Sequence, residues 1–281
     1  MNSSYLLSII TFIYGAASFF YITTWIFKKP IIGKLATITT YLGFLGHTVG
    51  IILRWVESYQ MGAGHGHAPL SNMYESLVFF SWSIILLYLL IEYKYKNKSI
   101  GGVAGPLAFF AIAYASLSPH IEDRISPLIP ALKSNWLIIH VITCFIGYAA
   151  FAVSFGVAIM YLMKASGDEG KDSFLNQFPA VRILDRLIYQ TITLGFLFLT
   201  MGIITGAVWA NSAWGSYWSW DPKETWSLIT WFIYATLIHS RMVRGWRGKR
   251  IAFLSIIGFI AVMFTYFGVN YILPGLHSYA Q

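Results

Sequence analysis

Apolar residues in this chain fall in long runs, at 5–27, 31–54, 73–93, 100–118, 136–163, 188–209, 224–243 and 251–273, with few charges inside any of them. Each run is close to the roughly 20 residues that an α-helix needs to cross about 30 Å of hydrocarbon. Helix is also the form such a run must take in lipid, because it satisfies every backbone N–H and C=O within the segment. The pattern therefore predicts an all-α integral membrane fold, an eight-transmembrane-helix bundle forming a single membrane domain over residues 1–281. The first run has no basic leader and no small-residue cleavage pattern, so it reads as a retained helix.

Composition excludes a soluble globular domain: 57% of residues are hydrophobic, 11% are charged, and the mean hydropathy is +0.63. The net charge of +8 could suggest a nucleic-acid partner, but its distribution points elsewhere. Fifteen of the nineteen Lys and Arg residues fall in the first, third, fifth and seventh connections. The positive-inside rule then makes those connections cytoplasmic or stromal and turns both termini outward, to the periplasmic or lumenal side. Topology accounts for the charge, and no nucleic acid is called for.

Three connections face outward on this reading: 55–72, 119–135 and 210–223. The inner connection at 164–187 is a cytoplasmic amphipathic connector, whose stretch around Pro179 to Leu187 either lies along the membrane surface or is solvated. Cys144 is the one cysteine, so the chain forms neither an internal disulfide nor a CxxC pair, and any thiol chemistry comes from a partner.

The outer connection at 210–223 and its flanks carry Trp209, Trp214, Trp218, Trp220, Trp226 and Trp231, six of eleven tryptophans, together with Tyr217. Aromatic belts mark every membrane interface, but a belt spreads over all helix ends, whereas this cluster occupies one loop. A flat aromatic shelf suits a large planar apolar ligand such as a porphyrin. Within Asp221-Pro222-Lys223-Glu224, Asp221 reads first as a helix N-cap, with Pro at the first helical position and Glu224 reaching back. Asn72 to Glu75 repeats that logic at the start of the third run.

The string WGSYWSWDPKETWSLITWFIYATLIHSR resembles the WWD motif of heme-handling membrane proteins, and its DPKETW continuation resembles the CcsA (ResC) family of cytochrome c biogenesis proteins. LRWVESYQMGAGHGHAPLSNMYES, NWLIIHVITCFIGYAAF and FGVNYILPGLHSYA agree with the same family, although GAGHGH departs from its shorter plastid form. The resemblance implies a protein of the bacterial cytoplasmic or plastid thylakoid membrane with its active face outward. It implies a non-covalent heme b (iron-protoporphyrin IX), heme transport or delivery, and thioether attachment to CxxCH apocytochromes c. The partners it implies are CcsB (ResB), with which it would form a holocytochrome c synthase, or heme lyase, and a thiol-reducing protein that supplies reduced CxxCH.

Neutral imidazole is the commonest nitrogen ligand of heme iron, and seven histidines compete for that role. His140 lies at the outer end of the fifth run and His277 follows the Pro274-Gly275 break after the last. Both are expected at one membrane face, and the family pattern matches them to its external axial pair. His239 sits in the inner part of the seventh run, where an ionisable side chain is expensive; it is either an inter-helix hydrogen-bonding residue or a ligand, and the resemblance favours a ligand.

His47 lies among Gly43, Gly46 and Gly50, a smooth face fit for a neighbouring helix or a porphyrin edge. Pairing it with His239 conflicts with their depths, about 24 Å and 6 Å from the inner end. His65, His67 and His120 read as solvated. Arg54 and Lys223 are the leading cations for heme propionates, and Arg54 could equally snorkel. Rival readings are a CcmC-like heme-delivery protein, a membrane transporter of another solute, and a structural assembly subunit.

Overall fold

The computed structural model describes residues 2–62, 65–128, 132–167 and 173–273. Every apolar run becomes a helix: α1 Ser3–Phe27, α2 Pro30–Gln60, α3 Met73–Tyr95, α4 Gly101–Leu117, α5 Asn135–Ser166, α6 Val181–Trp214, α7 Pro222–Val243 and α8 Lys249–Met263. After α8 the chain passes through a π-helical turn, Phe264–Gly268, into the short α9, Val269–Ile272. No strand occurs among the described residues. Six of the helical stretches are long and apolar enough to cross a membrane: α1, α2, α3, α5, α6 and the continuous Lys249–Ile272. The chain is therefore an all-helical membrane protein. The helix α4 has 17 residues, and α7 is not among the six.

Two helices are longer than their apolar runs, for different reasons. The polar end of α2 continues to Gln60 because its side chains find partners inside the protein: Arg54 and Ser58 are each 2% exposed, and the Glu57 carboxylate accepts from the Ser3 backbone N–H at 2.9 Å. At the other extreme α6 begins at Val181, so residues 181–187 of the amphipathic stretch are the first turns of a 34-residue helix and not a separate surface segment.

Within the length read as a single domain, the helices gather into two compact units. The first comprises Met1–Ile129 with Gly167–Pro179 and contains α1 to α4. Here the Gly43, Gly46 and Gly50 face of α2 is filled by α1: a Cβ at these positions would come within 2.7 Å of Tyr14, 2.8 Å of Ile10 and 2.8 Å of Leu7. The smooth face admits a neighbouring helix, and the porphyrin-edge alternative has no room on it.

The second unit comprises Pro130–Ser166 with Ala180–Gln281, and its helices α5 to α8 pack as α5 on α6, α5 on α8, α7 on α8 and α6 on α7. The tightest seam joins α5 to α6, where Gly147 and Gly195 let the backbones approach; a Cβ on Gly147 would lie 3.1 Å from the Gly195 carbonyl. Phe151 and Tyr234 stack at 3.5 Å in the same core. Where α6 begins, Asp185 binds Arg241 through both oxygens, at 3.1 and 2.7 Å, and also accepts from the Gly248 N–H at 2.9 Å. That bidentate pair ties α6 to α7 and to the start of α8.

Candidate functional site

His140 projects from α5 into a notch on α6 that exists because residues 202 and 206 are glycines one helical turn apart. A Cβ on Gly206 would sit 2.6 Å from the His140 Nδ1 and 2.7 Å from its Cε1, so the imidazole occupies the space that any larger residue would fill. From there Nδ1 lies 2.8 Å from the Gly202 carbonyl oxygen. A carbonyl only accepts, so Nδ1 carries a proton, and in a neutral imidazole this leaves Nε2 as the nitrogen with the lone pair. This is the tautomer that metal-binding histidines adopt when a backbone carbonyl fixes them. Beside it, the Trp209 indole lies almost parallel to the ring, 14° apart with centroids at 6.0 Å. The Cys144 thiol, one turn along α5, is 3.6 Å from Nδ1.

Trp209 is 4% exposed, and it passes the aromatic contact outward to Trp214 in an edge-on packing at 4.8 Å. Past the end of α6, where Gly215 takes the left-handed conformation at φ 78, the chain displays Tyr217 and Trp220 at 60% and 68% exposure. Trp218 meets Trp220 edge-on at 5.8 Å. Trp220 itself has φ 60, a conformation that is costly for a bulky side chain and persists only where the surroundings impose it.

Glu224 imposes it. Its Oε2 accepts from the Ser219 N–H at 2.8 Å and the Asp221 N–H at 3.2 Å, clamping the backbone on both sides of Trp220, while the Thr225 hydroxyl donates to the Trp220 carbonyl at 3.3 Å. Asp221 accepts from the Lys223 N–H at 2.9 Å and completes a capping box with Glu224, so it serves as the N-cap of α7. Its own carboxylate is taken up by that cap. Trp226 and Trp231 belong instead to helix packing, against Phe264 at 4.2 Å and through Nε1 to the Thr200 hydroxyl at 2.9 Å.

The remaining residues singled out from the sequence fall in different places. The Lys223 ammonium turns inward and donates to the Asn270 side-chain oxygen at 3.1 Å, within the same unit as His140. His239 lies on the exposed face of α7, while Tyr234, Leu237 and Ser240 fill the buried one. His277 lies outside the described residues. His47 belongs to the first unit, is fully buried, and is 3.1 Å from the Tyr14 hydroxyl.

Arg54 also belongs to the first unit, and it has a partner that the sequence did not disclose. Its Nε donates to Glu75 at 2.8 Å, Nη1 donates to the Ser4 hydroxyl at 3.3 Å, and the guanidinium lies 4.8 Å over the Tyr74 ring. With 2% and 1% of the two side chains exposed, this is a buried ion pair rather than a snorkelling cation, and Arg54 is committed to Glu75 instead of an outer propionate. Glu75 in turn accepts from the Ser71 N–H at 2.9 Å and its hydroxyl at 2.8 Å, and Asn72 caps α3 by accepting from the Glu75 N–H. His67, expected to be solvated, is 6% exposed. Its Nε2 is 3.0 Å from the Ser71 hydroxyl and 3.8 Å from Glu75, whose carboxylate raises the imidazole above its ordinary value of 6.5.

The sequence reading passed over Gly202, Gly206 and Asn270. For the glycines a signal was present: the small-xxx-small spacing of GIITG marks a close helix approach. Nothing in the sequence marks Asn270 as the partner of Lys223.

Comparison with known proteins adds to this geometry. A family model described as cytochrome C assembly protein matches residues 70–277. The cytochrome c biogenesis protein CcsA of Guillardia theta is 42% identical, over 83% of this chain and 81% of its own length. That of Pyropia yezoensis is 39% identical over 97% and 96%, and that of Parasynechococcus marenigrum 41% over 83% and 82%. Among solved structures, the cytochrome c heme lyase CcmF superposes with a TM-score of 0.71 at 16% identity, covering 95% of this chain. The chain spans about half of that protein, 47%, and the likeness is one of fold.

Proposed function

The chain belongs to the CcsA family of cytochrome c assembly proteins and acts in cytochrome c maturation; from that premise we propose that it binds heme b and presents it on the outer membrane face for attachment to CxxCH apocytochromes c, together with CcsB. The observation that carries the proposal is the fixing of the His140 ring: Nδ1 donates to the Gly202 carbonyl, which in the neutral imidazole makes Nε2 the nitrogen that would meet an iron, and an indole lies parallel to the ring. The donor set of the unit suits heme in other respects. Tyr217 and Trp220 offer exposed aromatic faces, Trp218 packs edge-on against Trp220, and Lys223 offers a cation that a propionate could take over from Asn270.

In this reading His140 and His277 would hold the heme iron, and His239, on the exposed face of α7, would meet a ligand or histidine supplied by the partner protein. Bound heme supplies two vinyl groups to which the apocytochrome thiols add. The chain's own contribution is position: His140 is locked by its notch, and Glu224 clamps the loop that aims Trp220, so the encounter becomes a local reaction. Cys144 is buried inside α5, so the reacting thiols come from the apocytochrome, kept reduced by a separate thiol-reducing protein. All eight helices span the membrane with both termini outward, as the charge distribution favours.

The test is replacement of His140 or His277 by Gly. Each variant is expected to lose cytochrome c maturation and to regain part of it with added imidazole, which fills the vacated axial position. Normal maturation in both variants would reject the assignment.

A further inference from the structure

The first unit contains a cavity of about 240 Å³ that the heme reading leaves unused. It lies where α1 ends, α2 begins and the α3–α4 connection passes, and its lining includes Thr24, Pro30, Gly33 and Lys34 together with Lys96 and Lys98. Among the described residues, three lysines and no carboxylate line it. Glu92, which α3 also carries, does not reach it; its oxygens accept from the Tyr21 hydroxyl at 3.1 Å, the Thr37 hydroxyl at 2.6 Å, and Tyr88.

The cavity is built rather than incidental. The Lys98 ammonium is held by the Gly33 carbonyl at 3.2 Å, and its stem lies so close to α2 that a Cβ on Gly33 would come 3.2 Å from its Cδ. The Asn97 oxygen accepts from the Ser99 N–H at 3.0 Å, which fixes the loop carrying Lys96 and Lys98. No side chain caps α2, so its first-turn amides add their partial positive charge to that of the lysines. Such a cavity selects an anion with several acceptor oxygens.

Its surroundings say which kind. Ile26 and Phe27 at the end of α1 and Ile31 at the start of α2 are 63%, 60% and 61% exposed, and Tyr93, 71% exposed, lies 4.2 Å beneath the Lys96 ammonium. A cationic hollow bordered by exposed apolar and aromatic residues is a membrane-boundary feature. We propose that this cavity holds the phosphate of an anionic lipid headgroup, with the acyl chains lying along Ile26, Phe27 and Ile31. The site anchors the end of the first unit to acidic lipid and is independent of heme.

The experiment uses the full chain purified in mild detergent, with dioleoylphosphatidylglycerol or dioleoylphosphatidylcholine added and retention read by native mass spectrometry. The wild type is expected to retain the anionic dioleoylphosphatidylglycerol preferentially. The double variant K34Q/K96Q, which leaves the Lys98–Gly33 contact in place, is expected to lose roughly fivefold per lysine, about 25-fold in total. The charge-preserving K34R/K96R is expected to retain it, and His140→Gly to be indistinguishable from wild type, which separates this site from the heme reading. Equal retention by wild type and K34Q/K96Q would overturn the site. Displacement of the lipid by millimolar inorganic phosphate, with thermal protection of the wild type by phosphate alone, would overturn the lipid assignment in favour of a soluble anion.

Discussion

Gly206→Ala tests the His140 notch without touching the histidine. The added Cβ would sit 2.6 Å from Nδ1, against about 3.4 Å for ordinary van der Waals contact, so the ring must retreat by about 0.8 Å. Taken up along the hydrogen bond, that lengthens the 2.8 Å contact with Gly202 to about 3.6 Å, beyond hydrogen-bonding range. Losing one such bond costs about 1 kcal/mol, roughly a fivefold drop in the population of the fixed tautomer. A displacement near 1 Å of a positioning group can cost far more in rate, on the order of a hundredfold.

The assay is cytochrome c maturation per unit of membrane-inserted protein, measured for G206A, for H140G with imidazole, and for the double variant with imidazole. Because the rescuing imidazole is not tethered to α5, it can settle clear of the added Cβ, which then has no fixed ring to displace, and the double variant should match H140G with imidazole. Wild-type maturation by G206A at normal abundance would refute the notch. So would an additive loss in the double variant, which would place the Gly206 effect in helix packing.

Replacing Trp218 or Trp220 by Ala should lower the heme-to-protein ratio roughly two- to tenfold while protein abundance holds, with Phe better tolerated than Ala; equal occupancy throughout the series would eliminate the aromatic shelf. Glu75→Gln strands Arg54 as a buried unpaired charge and should cost about 3–5 kcal/mol, and R54M/E75Q should recover part of it; a thermal midpoint read by fluorescence size exclusion in which E75Q equals wild type would contradict the ion pair. His67 is raised in the folded protein, so its stabilising contribution is complete below its ordinary value of 6.5 and is lost as pH rises through the elevated one. The midpoint difference between wild type and H67Q should therefore shrink with increasing pH, and a gap that stays constant would refute it.

What the sequence disclosed, it disclosed through local signals. The eight helices follow from apolar runs, and the α7 cap follows from the four residues Asp221 to Glu224, because both features are decided by neighbours within a few positions. The position of Trp209 against His140 was not legible, since the two are brought together by α5 packing on α6. The pairing of Arg54 is hidden for the same reason: its partner Glu75 sits 21 residues away on another helix, and a cation without a visible partner reads as an outward-facing one. The two further turns of α2, to Gln60, depend on that buried pairing, which no apolar count detects. His239 was identified as an ionisable group within a span, but the face of α7 on which it lies depends on which residues the neighbouring helices bury.

The central claim is that this chain holds heme through axial histidines, and the most direct measurement is a reduced-minus-oxidised absorption spectrum of the full chain, purified in mild detergent after co-expression with CcsB under heme-replete conditions. The account predicts a Soret band and the low-spin α and β bands of a b-type, bis-histidine heme, diminished in His140→Gly and restored in intensity by imidazole. Protein purified with its partner and excess heme that shows no Soret absorption would contradict it.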